Sequence, residues 1–226
     1  MSTNEASILP TAPNPLTVPH GLSPWCFCPL KRALDVIYSI MLIVATLPLM
    51  TMVAVLIKST SPGPVLYRQR RLGKNGAHFQ LLKFRTMHHG RRALGLGLTR
   101  RGDARVSRVG RFLRRWKLDE LPQLFNVLRG EMSLVGPRPD LPKYLQGLRA
   151  EQRLVLSLSP GITGAATLRF RNEEVLLAQV APEQLENFYV NTLLPQKIAL
   201  ELEYARGASI FSDTAMLLRT AATVLH

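Results

Sequence analysis

The longest apolar feature of the chain is an uncharged run of 22 residues, Val36–Ile57. As a straight helix it would be about 33 Å long, enough to cross a hydrocarbon core of roughly 30 Å. Pro48 lies inside the run, where proline removes a helix hydrogen bond and favours a kink. Basic residues flank both ends, and the positive-inside rule keeps both flanks on the cytoplasmic side. The pattern favours a kinked, re-entrant membrane helix, with a spanning helix and a buried core helix as the alternatives.

After this run the pattern becomes that of a β-hairpin. The stretch VLYRQRRLGKNGAHFQLLKFRT predicts a strand over Val65–Arg71, a turn over Gly73–Gly76 and a second strand over His78–Thr86. Lys83 and Arg85 are two residues apart in the second strand, so we expect them on the same face.

Helical spacing returns further along the chain. Apolar residues with arginines between them indicate a basic amphipathic helix over 105–117. Its apolar face either packs on a core or lies along an anionic membrane surface, and the same two alternatives hold for the C-terminal segment 210–225. Further helices are predicted around Pro142–Ser157 and Pro182–Glu203.

The composition adds a strong positive charge, since 29 basic and 15 acidic side chains give a formal net charge of +14. Such a chain is expected to meet anionic lipid head groups or phosphate-bearing substrates. Nucleic acid is not an expected partner, because aromatic residues make up only 7% and no nucleic-acid-binding motif is present. Cys26 and Cys28 form neither a disulfide framework nor a zinc site, and we interpret them as reduced thiols. His88 and His89 are interpreted as solvated loop residues.

These patterns divide the chain into three parts. Residues 1–30 contain six prolines and one charged residue, which predicts a disordered, Pro-rich tail without the features of a cleavable signal peptide. Residues 31–60 form the kinked membrane helix. Residues 61–226 form a single compact domain of the α/β class, mostly α, with a small hairpin sheet.

The candidate chemistry lies in LDELPQLFNVLRGEMSLVGPRPD, residues 118–140, where Asp119 and Glu120 are adjacent. One interpretation is helix capping, with Asp119 as the N-cap and Pro122 in the first turn. The other is catalysis on phosphorus, because a carboxylate can act as a covalent nucleophile and a second carboxylate beside it can help to bind Mg²⁺.

Cations on rigid elements favour the catalytic interpretation. The stiff loop VGPRP fixes Arg138, the second hairpin strand carries Lys83 and Arg85, and RFRN adds Arg169 and Arg171. Such side chains can hold a diphosphate, and the fork of arginine suits phosphate oxygens especially well.

With these motifs in order, the chain resembles the bacterial sugar transferases, the monotopic polyprenyl-phosphate phosphoglycosyl transferases. The resemblance runs from Lys31 to the C-terminus. It rests on KRALD, the Pro-broken apolar run, SPGPVLYRQRRLGKNGAHFQLLKFRTM, DELPQLFNVLRGEMSLVGPRP and PGITG.

The resemblance implies a transferase of phosphorus-containing groups at the cytoplasmic face of the bacterial inner membrane. Such an enzyme moves a sugar 1-phosphate from a nucleoside diphosphate sugar, usually UDP-linked, to undecaprenyl phosphate. UMP is released, and exopolysaccharide, capsule or O-antigen synthesis begins. A homodimer is an open expectation.

The resemblance also implies roles for individual residues. Asp119 attacks the sugar-linked phosphate, and the lipid phosphate then attacks the phosphosugar-aspartate. Glu120 assists Asp119 in placing Mg²⁺. The implied contacts to phosphate or nucleotide come from Lys83, Arg85 and Arg138, with Arg171 and Gln123 as further candidates, Gln123 also as a support of the loop.

Two stretches depart from the family pattern. Many members have Ser-Pro at the kink, where this chain has Leu47-Pro48. After PGITG the chain continues with AATLRFRNEE, which keeps Arg171-Asn172 but loses a glycine and the aromatic pattern. The identity of the sugar therefore cannot be inferred from the resemblance.

The alternative function is a non-catalytic, basic membrane-surface adaptor for glycan assembly enzymes. A membrane-tethered nucleic-acid binder would rest on charge alone.

Overall fold

The computed structural model describes residues 19–88 and 98–225, so residues 1–18 of the predicted tail and His89 lie outside the described residues. The helices are α1 Pro29–Thr60, α2 Arg108–Arg115, α3 Gln123–Leu128, α4 Pro142–Leu145, α5 Ala165–Arg169, α6 Glu173–Ala178, α7 Leu185–Phe188, α8 Leu194–Arg206 and α9 Ile210–Leu225. The strands are β1 Leu66–Leu72, β2 His78–Phe84, β3 Ser133–Val135 and β4 Gly161–Thr163. The mostly helical α/β class with a small sheet is confirmed.

The predicted hairpin is confirmed as the antiparallel pair β1–β2, which runs in register from Leu66 opposite Phe84 to Leu72 opposite His78. The turn between the strands is a 3₁₀ turn at Lys74–Gly76, in which Asn75 adopts a left-handed conformation with φ 55°. Asparagine tolerates this conformation better than most residues, which explains the reversal at this point.

A second, parallel pair of strands joins β3 to β4, with Ser133 opposite Gly161. The sequence patterns did not predict this pair. It depends on close backbone approach, because a Cβ atom on Gly136 or Gly161 would overlap backbone atoms of the facing segment. The pairing lays the loop VGPRP against the turn PGITG and so fixes the position of Arg138.

The long apolar helix α1 is attached to the domain by three polar side chains at its start. Lys31 forms a buried ion pair of 2.5 Å with Asp213 on α9. Arg32 donates to two carbonyls at the end of α3, at 2.6 and 3.1 Å. Asp35 accepts from a serine hydroxyl and a backbone N–H of β3, at 2.8 and 3.1 Å.

The C-terminal half of α1 packs on the same domain. Met50, Val53 and Ile57 are buried in a cluster with Phe84 of β2 and Leu113 of α2. The opposite face exposes large apolar side chains, among them Ile40, Met41, Val44, Leu47, Met52 and Val55. Among the described residues, α1 is the one helix long and apolar enough to cross a membrane by length and composition.

Three boundaries differ from the predictions. Part of the predicted tail is folded, since Leu22 is buried, a 3₁₀ turn forms at Pro24–Phe27 and α1 already begins at Pro29. The helix predicted over Pro142–Ser157 is instead α4 and a 3₁₀ turn at Gln152–Ser157. The helix predicted over Pro182–Glu203 is divided into a 3₁₀ turn, α7, a π-helical turn and α8.

Candidate active site

Asp119 and Glu120 lie in a 3₁₀ turn, Leu118–Glu120, between α2 and α3. Both are buried, with 5% and 8% of their surface exposed. The helix-capping interpretation is wrong, because the N-cap of α3 is Pro122 and no side chain caps that helix. Two carboxylates are thus buried side by side without a capping role, which carries a cost unless charged partners or ligands compensate it.

Glu120 has such partners. Its Oε1 accepts from Lys83 Nζ at 2.8 Å and from Arg138 Nη2 at 2.6 Å, while Oε2 accepts from Arg138 Nη1 at 3.3 Å. Burial alone would raise the pKa of Glu120, but the positive charges of Arg138 and Lys83 outweigh it and hold that pKa well below its ordinary value. Glu120 is therefore an ionised carboxylate that gathers two cations.

Asp119 has a different environment. Its Oδ1 is buried without a hydrogen-bond partner among the described residues. Burial and the charge of Glu120 raise the pKa of Asp119, and the nearby cations oppose this rise. A carboxylate oxygen that no donor occupies keeps its lone pairs available for attack on phosphorus.

The structure brings two predicted cations to Glu120 and places a third predicted residue, Gln123, in the helix that follows. Lys83 comes from β2 and Arg138 from the loop after β3, where the β3–β4 pair and the flanking prolines hold it. Gln123 opens α3 and is almost fully buried, and its Nε2 has no hydrogen-bond partner among the described residues. An uncommitted amide donor four residues after Asp119 is suited to a phosphate oxygen.

The two other predicted cations lie elsewhere. Arg85 follows the end of β2 and donates to Pro62 O at 2.6 Å and to Ser61 O and Oγ at 2.9 and 2.8 Å, which ties it to the turn after α1. Arg171 is exposed in the turn between α5 and α6. Neither contributes to the described contacts of Glu120, and their substrate roles stay predictions.

Two cations near the acidic pair were missed. Arg114 and Lys117 both lower the pKa of Asp119 by their charge. Arg114 also donates to Glu174 Oε1 at 2.8 Å and to Thr86 Oγ1 at 3.0 Å. The available signal was the run RRWK directly before the acids, which helical periodicity assigned to the amphipathic helix alone.

The side chains available as metal ligands decide whether the predicted Mg²⁺ ion fits this site. The described residues contain no cluster of three or more His, Cys, Asp or Glu side chains that could hold an ion. Mg²⁺ commonly binds through one or two carboxylates together with substrate phosphates, so a smaller donor set is sufficient. Asp119 fits this role through its open oxygen, whereas both oxygens of Glu120 are occupied by Lys83 and Arg138.

Behind Arg138 a cleft extends to Glu201 on α8. One wall is a buried chain of hydrogen bonds, in which Tyr189 donates to Asp140 at 2.6 Å and Lys197 donates to Tyr189 at 3.2 Å. Glu201 accepts from the backbone N–H of Ala166, at the start of α5, at 2.9 Å. These bonds hold α5 and α8 against the loop that carries Arg138.

Comparison with known proteins identifies a family. The family model described as "Bacterial sugar transferase" matches residues 27–226. The chain is 41% identical over 198 residues to the UDP-glucose:undecaprenyl-phosphate glucose-1-phosphate transferase of Caulobacter vibrioides, covering 86% of this chain and 69% of that protein.

Other relatives are longer than this chain. The undecaprenyl-phosphate glucose phosphotransferase of Komagataeibacter xylinus is 41% identical over 197 residues, which are 84% of this chain and 35% of that protein. The UDP-N-acetylgalactosamine-undecaprenyl-phosphate N-acetylgalactosaminephosphotransferase of Aeromonas hydrophila is 34% identical over 201 residues, 87% of this chain and 44% of that protein. The chain thus spans less than half the length of these two relatives.

Proposed function

The chain belongs to the bacterial sugar transferase family, and on that premise we propose that it transfers a sugar 1-phosphate from a UDP-sugar to undecaprenyl phosphate and releases UMP. This reaction would begin the synthesis of an exopolysaccharide, capsule or O-antigen. The names of the relatives include two different sugars, glucose and N-acetylgalactosamine. The sugar that this chain transfers therefore has to be identified by an assay.

One observation carries the mechanism: two adjacent buried carboxylates have opposite environments. Glu120 binds Lys83 and Arg138 with both of its oxygens, and Asp119 Oδ1 has no partner within residues 19–88 and 98–225. Two carboxylates in different environments can take different roles in one reaction. We assign the nucleophile to Asp119 and the organisation of the phosphate-binding cations to Glu120.

In the first step an oxygen of Asp119 forms a bond to the phosphorus that carries the sugar. The bond from this phosphorus to the oxygen that bridges to the nucleotide breaks, and UMP leaves with the electron pair. Lys83 and Arg138 lie where they can neutralise the negative charge of the diphosphate. The product of this step is a phosphosugar ester of Asp119.

In the second step a phosphate oxygen of the lipid acceptor attacks the same phosphorus. The bond between Asp119 and phosphorus breaks and the free carboxylate returns. The lipid leaves as a diphosphate that carries the sugar. The covalent ester thus divides one difficult transfer into two easier steps.

We include Mg²⁺ in the proposal as the cofactor, which Asp119 and the phosphates of the donor would hold together. When bound, the ion masks phosphate charge and thereby allows an anion to attack an anion. Glu120 could join as a second ligand only by exchanging one of its contacts with Lys83 or Arg138.

The two faces of α1 support a membrane placement. Buried residues occur near both ends of the helix, Lys31 to Ser39 and Met50 to Ile57, and all of them contact one domain. A spanning helix would have to carry one of these ends to the far side of the bilayer, away from the domain. We therefore propose a monotopic arrangement, with the domain on the cytoplasmic face of the inner membrane.

The proposal is tested with purified protein in detergent, Mg²⁺, undecaprenyl phosphate and a panel of UDP-sugars, by measuring UMP release. Asp119→Asn is the test variant, because it keeps the shape of the side chain and removes the nucleophilic charge. Asp103→Asn is the matched control, since that carboxylate pairs with Arg105 instead. We expect release with one sugar, its loss in Asp119→Asn and its retention in Asp103→Asn. Equal release by wild type and Asp119→Asn would refute the assigned nucleophile.

A further inference from the structure

Lys117 has an unusual backbone conformation directly before the two acids. Its φ of 53° is left-handed, and Asn75 is the other non-glycine residue of the described chain with a positive φ. Lys117 ends α2 at the position where helices commonly place glycine, because a side chain is strained there. Strain at a residue next to reactive groups points to a functional reason for the side chain.

The side chain of Lys117 is also uncommitted. It is exposed, and within residues 19–88 and 98–225 it has no hydrogen bond or ion pair. The other cations around the acidic pair each have a carboxylate partner: Lys83 and Arg138 bind Glu120, and Arg114 binds Glu174. The charge of Lys117 nevertheless reaches both acids, since it lowers the pKa of Asp119 and of Glu120.

The surroundings of Lys117 indicate which of the two substrates it meets. Leu118 and Leu121, on either side of the acidic pair, pack against the α1 cluster of Met50, Val53 and Ile57. The turn that carries the nucleophile thus rests on the apolar helix. A lipid acceptor, whose chain stays in the membrane, has to approach from this side, whereas Lys83 and Arg138 are both paired with Glu120.

We propose that Lys117 is the residue that binds the phosphate monoester of the lipid acceptor. This inference rests on the proposed two-step transfer and adds a division of labour among the cations. Lys83 and Arg138 serve the donor diphosphate in the first step, and Lys117 holds the acceptor phosphate beside the phosphosugar-aspartate in the second step.

The two half-reactions can be measured separately. This distinguishes a role of Lys117 in binding the acceptor from an effect of Lys117 on both steps. With the donor alone, the enzyme should release one equivalent of UMP in a burst, and the acceptor then determines turnover. Lys117→Gly removes the charge and suits the left-handed backbone, so its Tm should not be lower than that of the wild type. We expect a burst rate within about twofold of wild type and a KM for undecaprenyl phosphate about tenfold higher, the loss of one charge-assisted contact.

Two further variants test the site. Lys117→Arg keeps the charge and should restore the acceptor KM to within about threefold of wild type. Arg115→Met removes an exposed cation of the neighbouring helix α2 and should leave the acceptor KM near the wild-type value. The measurements are made in neutral detergent and in vesicles with anionic phospholipid, which separates the acceptor phosphate from lipid head groups.

Three results would overturn the inference. A slower UMP burst in Lys117→Gly would show that Lys117 acts in the donor step. An unchanged acceptor KM in Lys117→Gly, or an equal rise of the acceptor KM in Arg115→Met, would show that Lys117 makes no specific contact with the acceptor phosphate. An effect confined to anionic vesicles would make Lys117 a head-group contact. Absence of any UMP burst from the wild type would refute the proposed two-step reaction itself, which is a separate outcome.

Discussion

At the scale of single residues, the main feature of the site is that the adjacent carboxylates of Asp119 and Glu120 have different environments. Asp119 and Glu120 share a turn and are both buried, yet Glu120 has two cationic partners and Asp119 Oδ1 has none in the described part of the chain. Burial raises the pKa of Asp119, while cations outweigh burial at Glu120. One short turn thus holds a carboxylate paired with cations beside a carboxylate oxygen that has no partner among the described residues.

The fork of Arg138 should matter beyond its charge. Its two nitrogens bind the two oxygens of Glu120, a geometry that lysine cannot reproduce. We expect Arg138→Lys to lower kcat/KM for the UDP-sugar about tenfold or more, the loss of a charge-assisted hydrogen bond. Steady-state UMP release measures this, with Arg129→Lys, an exposed arginine after α3, as the control. Wild-type kcat/KM in Arg138→Lys would show that the fork is dispensable.

Sequence motifs predicted the acidic pair, Lys83, Arg138 and Gln123, because short rigid elements carry these residues. Arg85 shows the limit of that reasoning. Strand alternation placed it beside Lys83, but β2 ends at Phe84 and the Arg85 side chain binds the turn after α1. Lys117 was missed because its backbone conformation, which distinguishes it from the other cations of RRWK, is not visible in a helical pattern.

At the scale of elements, the sequence predicted structure formed by neighbouring residues but not the pairing of strands that are distant in the chain. The hairpin was predicted to within two residues because alternation and turn residues are both local. The pair β3–β4 joins strands of three residues that are far apart in the chain, and nothing local indicates it. It nevertheless positions Arg138, so part of the site depends on an element that periodicity could not reveal.

The contact between α8 and α5 should make stability depend on pH. Burial raises the pKa of Glu201 from 4.5 to about 7, against hydrogen bonds from backbone N–H groups of α5. The pKa of Glu201 is thus higher in the folded than in the unfolded state. The stabilisation that the protonated Glu201 contributes is therefore complete below about pH 4.5 and is lost as the pH rises through about 7. We expect the free energy of unfolding of wild type, relative to Glu201→Gln, to fall by at most about 3 kcal/mol across this window.

Urea unfolding in detergent, followed by circular dichroism from pH 4.5 to 8, measures this difference. Glu203→Gln is the matched control, because Glu203 is on the same helix and exposed. It should keep the wild-type pH dependence. Parallel curves for wild type and Glu201→Gln would show that Glu201 does not titrate in this range.

At the scale of the whole molecule, α1 is a part of the domain as well as the candidate membrane helix. Its length and apolar character were evident from the sequence, but its lengthwise packing was not, because the run is apolar on all sides. Lys31 and Arg32 were interpreted as topology-setting flanking charges, and the structure also shows them bound to Asp213 and to the end of α3. The start of α1 is thereby bonded to the end of α3, the helix that follows the acidic pair.

The monotopic arrangement can be tested with single cysteines in a background in which Cys26 and Cys28 are serine. One cysteine replaces His20 before α1 and the other replaces Glu151 on the catalytic domain, and both positions are exposed. A membrane-impermeant maleimide should label neither in intact spheroplasts and both after lysis. Labelling of the residue 20 cysteine alone in intact spheroplasts would establish a spanning helix instead.

The most direct test of the central claim is to look for the covalent intermediate on Asp119. Purified enzyme is mixed with Mg²⁺ and the active UDP-sugar, without acceptor, and its intact mass and peptides are measured by mass spectrometry. We expect a mass increase of one sugar phosphate on the peptide that contains Asp119, its disappearance on addition of undecaprenyl phosphate, and its absence in Asp119→Asn. An unmodified Asp119 in an enzyme that completes the full reaction would contradict the account, because transfer would then proceed directly from donor to lipid.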